Sequence, residues 1–398
     1  MVRNINNYQI SNDLGTKNSK IYLLVTLSAM TAFAPLITDM YLPALPALSD
    51  YFNASASMVQ LTISTSLLGI ALGQLLFGSV SDKLGRRRPL FVSLAFYLVA
   101  TLGCVFSPNI NVLIVCRLLQ GLGAAGSIVI ARSVASDWFT GKELLKFLAL
   151  MAAVHGMAPI AAPVAGGLLL LVTNWKGIFL FLGLLGVIVG AMSFYLKESL
   201  PAQKRAGGSI FASIMYFVPV VRNKKMMIYI VLLSFSSGIL FAYIAASPFI
   251  FQEHYGVSPL TFSAIFAVNA LSLIIGNFLS TRFNNLQKLL RHAIKFLFAF
   301  SIMTAISLVL DLPIYALCIS LFLTLLCTGI IFPVSTNLAL DLEKRYKGTA
   351  SAVLGASGFF VGSVVMPLSG VGNIRYATAC VIVFCAAVTL ITTSIIKD

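Results

Sequence analysis

The chain has 398 residues, of which 59% are hydrophobic and only 10% are charged. Soluble domains carry about 25% charged residues, so there is too little charge here to cover a water-facing surface, and the apolar excess must face lipid. The formal net charge of +15 would suit a polyanionic partner if the basic residues formed one patch, but they alternate with long apolar runs.

A membrane-spanning helix needs about 20 mostly apolar residues. In chain order such stretches fall near 21–43, 58–80, 89–107, 111–131, 145–170 and 176–196, and then near 226–251, 260–281, 293–310, 313–336, 349–371 and 374–396. They are too long and too continuously apolar for barrel strands, which alternate over about 10 residues. The predicted fold class is an all-α membrane protein of twelve transmembrane helices. Residues 1–20 are polar and precede a full-length span, unlike a cleaved signal peptide. The polar interval 197–225 divides the chain into six-helix halves at 21–196 and 226–398, with 1–20 as a cytoplasmic N-terminal segment. Pro367 and Gly370 stand 204 residues after Pro163 and Gly166, and the basic run 83–88 maps at that offset onto 287–292. Parallel halves of this kind occur in one large transporter class.

Alternate helix ends hold 24 of the 27 basic residues, the run Lys83, Arg86, Arg87 and Arg88 and the group Arg132, Lys142 and Lys146 among them. The opposite ends hold only Lys176 and Arg375. This positive-inside pattern predicts that both termini and the central interval are cytoplasmic, and it leaves no charge for nucleic acid. The six cysteines all sit in apolar stretches without a CxxC pair, so no metal, cofactor or disulfide framework is expected. No phosphate-binding Gly-Lys-Ser/Thr loop or catalytic grouping occurs, and the chain does not read as an enzyme.

Asp39 is the one carboxylate placed within a span. A carboxylate held there can trade its proton as its surroundings change. Arg117 lies deep in the fourth stretch, where an isolated charge is costly, so it is expected to pair or to line a wet cavity. Asp39 is its candidate partner. His155 in the fifth stretch is a second titratable candidate. Tyr243 stands 204 residues after Asp39, so the halves are expected to present an acid and a phenol across one cavity.

Gly78, Asp82, Gly85, Arg86, Arg87 and Arg88 follow the second stretch in the pattern G-x-x-x-D-x-x-G-R-R-R. This resembles the signature loop of the major facilitator superfamily. Physically, Gly78 would allow close helix approach, Gly85 a turn, Asp82 a contact with a helix N-terminus, and the arginines a pairing with Asp137. Arg117, Gln120 and Gly121 resemble that superfamily's fourth-helix pattern R-x-x-Q-G. The run from His155 through Pro159 and Pro163 to Gly166 and Gly167 is similar to the antiporter motif of its drug exporters, with Ala162 replacing a glycine. Asp39, Tyr41, Pro43 and Pro46 fall in the string DMYLPALP, which resembles the first-helix signature of the bicyclomycin-resistance (Bcr/CflA) drug:proton antiporters. The region of Asn337 and Gly348 to Ala352 resembles that subfamily too.

The resemblance implies the major-facilitator fold and proton-coupled efflux of small amphipathic drugs across the bacterial inner membrane by a monomer in lipid, without a cofactor. It assigns proton coupling to Asp39, Arg117 and His155, and substrate contact to Asp39, Tyr41, Gln120 and Tyr243. Conformational gating falls to Gly78, Asp82, Gly85, Arg86, Arg87 and Asp137. Export of a metabolite or sugar, nutrient symport and a non-transporting sensor are the alternatives.

Overall fold

The computed structural model describes residues 19–205, 222–342 and 347–394. Most of the predicted N-terminal segment, residues 206–221 of the central interval, Lys344, Arg345 and Lys397 lie outside the described residues. Among the described residues, twelve long helical segments follow in order: α1 (Lys20–Phe52, interrupted), α2 (Ala56–Leu84), α3 (Arg87–Val105), α4 (Ile110–Trp138), α5 (Gly141–Leu169) and α6 (Trp175–Phe194), then α7 (Lys224–His254), α8 (Pro259–Ser280), α9 (Leu286–Val309), α10 (Ile314–Leu342), α11 (Lys347–Leu368) and α12 (Ile374–Ser394). Eleven are long and apolar enough to cross a membrane, while the described apolar stretch of α11, Val353–Leu368, is shorter. Among the described residues there is no strand.

Side chains of Ser55, Asn109, Asn174 and Ser258 accept hydrogen bonds from the first-turn amides of α2, α4, α6 and α8. These residues satisfy donors that a helix start otherwise leaves open. The helices outrun the predicted apolar stretches most at the end of α1, the end of α4 and the start of α9, because a helix continues into polar sequence beyond the lipid. Two readings change as a result. Arg132 lies inside α4 rather than after it. The basic stretch 287–292 forms the first turns of α9, whereas 83–88 straddles a turn, so the two are not structural equivalents.

Within the first half α2 packs on α4, α3 on α4, and α3 on α6; within the second half α8 packs on α10, α9 on α10, and α9 on α12. Between halves α2 meets α11 and α5 meets α8. Each contact recurs six helices later, as two related bundles require. The tightest seams use glycine. A Cβ on Gly121 would stand 2.0 Å from the Ser66 carbonyl oxygen, and one on Gly69 would stand 2.2 Å from that of Leu118. In the second half Gly276 and Gly329 lie equally close to α10 and α8 backbone, at 2.2 and 2.4 Å. Small residues let helix backbones approach where lipid supplies no hydrophobic drive. Gly78 is not one of them: its Cβ would meet only Val129, at an ordinary 3.6 Å. Close approach falls instead to Gly69 and Gly73, which lie on the face of α2 turned to α4.

Gly121→Val should therefore force α2 and α4 apart, since backbone cannot yield as a side-chain tip can. Size-exclusion chromatography of detergent-extracted protein should show little monodisperse material. Gly190→Ala, placed where a Cβ meets nothing, should elute as wild type; equal recovery of both variants would refute the packing argument.

Candidate functional site

The site begins with prolines. Proline has no N–H, so each proline in or after a helix frees the carbonyl four residues before it. Pro43 does this to Asp39, and α1 breaks there: its helical piece ends at Asp39 and a short 3₁₀ turn spans Leu42–Ala44, where the Leu42 carbonyl accepts from the Leu45 amide instead. Pro35 likewise frees the Thr31 carbonyl, which accepts a 3.0 Å hydrogen bond from Nδ1 of His155 on α5. Pro367 frees the Ser363 carbonyl, which accepts from the Ser64 hydroxyl across the halves.

Asp39 is the only buried carboxylate among the described residues, with 6% of its surface exposed. The Thr38 hydroxyl donates to its Oδ1 at 2.8 Å. Tyr243 on α7 lies within Coulombic range of it, and the Tyr243 hydroxyl accepts a 3.0 Å bond from Asn269 on α8. The next residue, Met40, packs its carbonyl against Gly166, where a Cβ would come within 2.0 Å. A Cβ on Gly167 would stand 2.6 Å from the Ser263 hydroxyl and 3.3 Å from the Leu260 Cα of α8. The break in α1, the end of the proline-bent α5 and the start of α8 thus form one contact between the halves.

Arg117 is fully buried, and among the described residues no ion pair joins it to Asp39. Its guanidinium donates to the Ile37 carbonyl at 3.0 Å, the Thr62 carbonyl at 3.2 Å and Gln120 Oε1 at 2.6 Å. The rings of Tyr41 and Phe179 lie 4.8 and 5.6 Å from its central carbon. Carbonyl dipoles and ring faces stabilise the charge, so the expected pairing is replaced by a set of neutral acceptors. Gln120 in turn donates to Thr101 at 2.9 Å, and the Tyr41 hydroxyl lies 3.3 Å from that of Thr62. Tyr41 and Gln120 therefore pack around the arginine.

The two ends of the bundle differ. At the end marked by Asn53, hydrogen bonds tie the halves together. Ser57 donates to the Pro367 carbonyl at 2.8 Å, Gln60 to the Ala245 carbonyl at 3.1 Å, and Gln252 to the Pro43 carbonyl at 3.2 Å. Toward the end marked by Gly85, a cavity of about 500 Å³ lies between the halves. Gln74, Arg132 and His155 supply its polar lining, and Ile70, Ile128 and Phe359 much of the rest. Of the residues expected at a site from sequence, His155 lines this cavity, while Asp39, Tyr41, Gln120 and Tyr243 lie outside its lining.

The turn at Gly85 has φ +88°, a region that favours glycine. Arg86 pairs with Asp82 at 2.5 Å and with Asp137 at 2.9 Å, joining the ends of α2 and α4. Burial works against the Arg86 charge, but the two carboxylates outweigh it and hold its pKa above the ordinary value. The start of α3 is capped not by Asp82 but by Glu198, which accepts from the amides of Arg86 at 2.8 Å and Arg87 at 3.2 Å. Burial raises the Glu198 carboxyl. The bonds from the Arg86, Leu200 and Arg87 amides, with Arg205 nearby, carry it below its usual range.

A depressed folded-state value contributes stability that is present above the ordinary Glu pKa of 4.5 and is lost as pH falls below it. Glu198→Gln should therefore lower the thermal midpoint at pH 7 by a few degrees. The gap to wild type should close as pH falls through the carboxylate range. A gap that is constant with pH would show that Glu198 acts through shape alone.

Residues 27–367 match the family model described as Major Facilitator Superfamily. The chain belongs to this superfamily. It is thus a multi-pass membrane transporter rather than an enzyme. It is 36% identical to "Uncharacterized MFS-type transporter YdgK" of Bacillus subtilis, over 94% of each chain. It is 25% identical to a "Bicyclomycin resistance protein homolog" of Haemophilus influenzae, over 93% of this chain and 94% of the other. Against "Multidrug resistance protein MdtL" of Salmonella heidelberg the identity is 28%, over 84% of each. Among solved structures, a bacterial homolog of the human lysosomal transporter Spinster, described as inward-facing and unoccupied, superposes with a TM-score of 0.76 at 15% identity. That match covers 96% of this chain and 98% of the other.

Three residues of this major facilitator protein escaped the sequence reading. Glu198 stands 112 residues from Arg86 and looked like one more charge after a helix. Arg132 looked topogenic because the apolar run stops at 131. Gln60 is one of several polar side chains along α2, and nothing in the sequence set it apart from Thr62, Ser64 or Gln74.

Proposed function

We propose that this chain is a proton-coupled exporter of small amphipathic compounds, resident in the bacterial inner membrane with both termini in the cytoplasm. The observation that carries the reading is Asp39, the one buried carboxylate among the described residues, placed where α1 breaks against α5 and close to Tyr243 of the other half. A proton taken or lost there changes the charge at the contact across which the halves must rock. Relatives named for resistance to bicyclomycin and to multiple drugs support drug-like cargo. The alternation of basic loops supports the orientation, which makes the Gly85 end cytoplasmic. The tied Asn53 end and the cavity toward Gly85 then correspond to an inward-facing form.

In this reading Asp39 is protonated from outside, the halves reorient, and cargo entering the cavity favours release of the proton inward. Arg117 and His155 act on α1 through the Ile37 and Thr31 carbonyls. Tyr41 and Gln120 hold Arg117, and Tyr243 lies close enough to Asp39 to sense its charge. Asp82, Arg86 and Asp137, with the turn at Gly85, the neighbouring Arg87 and Gly78 one turn before Asp82 on α2, hold the gate in this form. Pro159 and Pro163 bend α5 so that Gly166 and Gly167 meet α1 and α8. The transporter works as a monomer in lipid.

Everted membrane vesicles with an acidified lumen test the direction. Vesicles bearing the chain should accumulate chloramphenicol and discharge lumenal protons as they do so. Gradient-driven depletion of lumenal cargo would instead establish symport.

A further inference from the structure

The cavity holds a charge that proton coupling does not use. Arg132 lies five residues before Asp137 on α4, about 7 Å further into the bundle along the helix. Its side chain lines the cavity beside Gln74 and His155. No carboxylate lines that cavity, and among the described residues none pairs with Arg132. An arginine needed only for topology would serve on any face of α4, whereas this one faces the space between the halves.

His155 adds a constraint. Its Nδ1 faces the Thr31 carbonyl, which can only accept, so Nδ1 carries the hydrogen and Nε2 of the neutral ring is an acceptor. The wall thus offers a guanidinium, a carboxamide and one imidazole acceptor. Phe359 on α11 comes from the other half, while Ile70 and Ile128 line the same wall one helical turn from Gln74 and Arg132.

We propose that this cavity selects amphipathic organic carboxylates, with Arg132 binding the carboxylate and Phe359 packing against the apolar body. The guanidinium matches a carboxylate with two parallel N–H donors, and the Gln74 amide can donate to a lone pair left over. A lipophilic cation would bring a like charge toward Arg132 and finds no acid on the wall to offset it. This deepens the export reading and rests on it for transport, but the binding preference is measurable without transport.

The test is equilibrium binding to purified full-length protein in nanodiscs, using 1-naphthylacetate and 1-naphthylmethylammonium, which share a ring system and differ in head-group charge. Wild type should favour the carboxylate by about ten-fold or more, the equivalent of one good charge-assisted contact. Arg132→Gln should level the two affinities, Arg132→Lys should keep part of the preference, and Arg132→Glu should reverse it. All four proteins should elute as monodisperse species with unchanged helical content. Equal affinities in wild type, or a preference that survives Arg132→Gln, would overturn the assignment. If the charge preference holds while acidified vesicles accumulate nothing, the export reading fails and this site stands. If accumulation is intact but indifferent to cargo charge, the site fails and export stands.

Discussion

Everted vesicles carrying Asp39→Asn protein are expected to build no cargo gradient when the lumen is acidified. Each pH unit across the membrane is worth about 1.4 kcal/mol per proton, so two units can sustain roughly a hundred-fold cargo gradient at one proton per turnover. The variant should fall to about one-fold, since an amide cannot carry the proton through the cycle and coupling has no partial substitute. The fold should survive. Asparagine matches aspartate in size, and its carbonyl oxygen can still accept the Thr38 hydroxyl that Oδ1 accepts at 2.8 Å. Exchange of labelled cargo down its own gradient should therefore persist. Asp39→Glu restores the carboxyl but adds a methylene to a packed site, and it should recover part of the gradient with a shifted pH optimum. Asp39→Asn vesicles that accumulate cargo as wild type does would remove Asp39 from the coupling step and leave His155 as the candidate.

The parts of this molecule that were legible in the sequence are those where one residue type has one physical use. Apolar runs must span lipid, a basic run stays on one side, and Gly85 before the arginines marks a left-handed turn. Arg117 was conspicuous for the same reason, because a charge at that depth needs partners. Its partners were not legible. They are backbone carbonyls of Ile37 and Thr62, and a carbonyl is available only where the path of the helix makes it so. Asp39 was the natural guess because sequence displays side chains and hides the backbone. Two of the proline-freed carbonyls could have been inferred, since Pro35 and Pro367 leave Thr31 and Ser363 without donors, but which side chains would reach them depends on how the helices are placed. Arg132 was misread through a boundary error of two turns, enough to move a cavity residue into a loop. Tyr41 and Gln120 were read as ligand contacts, and sequence alone gave no sign that both also pack around Arg117.

Arg117→Ala should damage the fold strongly, and its effect should reach Asp39 without any contact between the two. The guanidinium is completely buried. Its removal strands the Ile37 and Thr62 carbonyls and the Gln120 oxygen, which it holds at 3.0, 3.2 and 2.6 Å. It also leaves a void between the Tyr41 and Phe179 rings. Each stranded acceptor costs about 1–3 kcal/mol, and the lost ring contacts add about 2. Membrane-embedded chains recover part of such losses by finding other partners, so a net loss of about 3–5 kcal/mol is expected. Thermal unfolding in detergent, followed by loss of the monodisperse peak, should show a marked drop in midpoint. Arg117→Lys separates charge from geometry. It keeps the cation, but a compact ammonium cannot reach α1, α2 and Gln120 at once as the planar fork does. The Ile37 carbonyl is two residues before Asp39, at the end of the helical piece that Pro43 terminates. Releasing it frees the carboxylate's own segment of backbone. Arg117→Lys should therefore fold better than Arg117→Ala yet sustain a smaller cargo gradient than wild type. If Arg117→Lys couples fully, the arginine serves only as a buried cation and does not position Asp39. If Arg117→Ala unfolds at the wild-type temperature, these hydrogen bonds contribute nothing net to the fold.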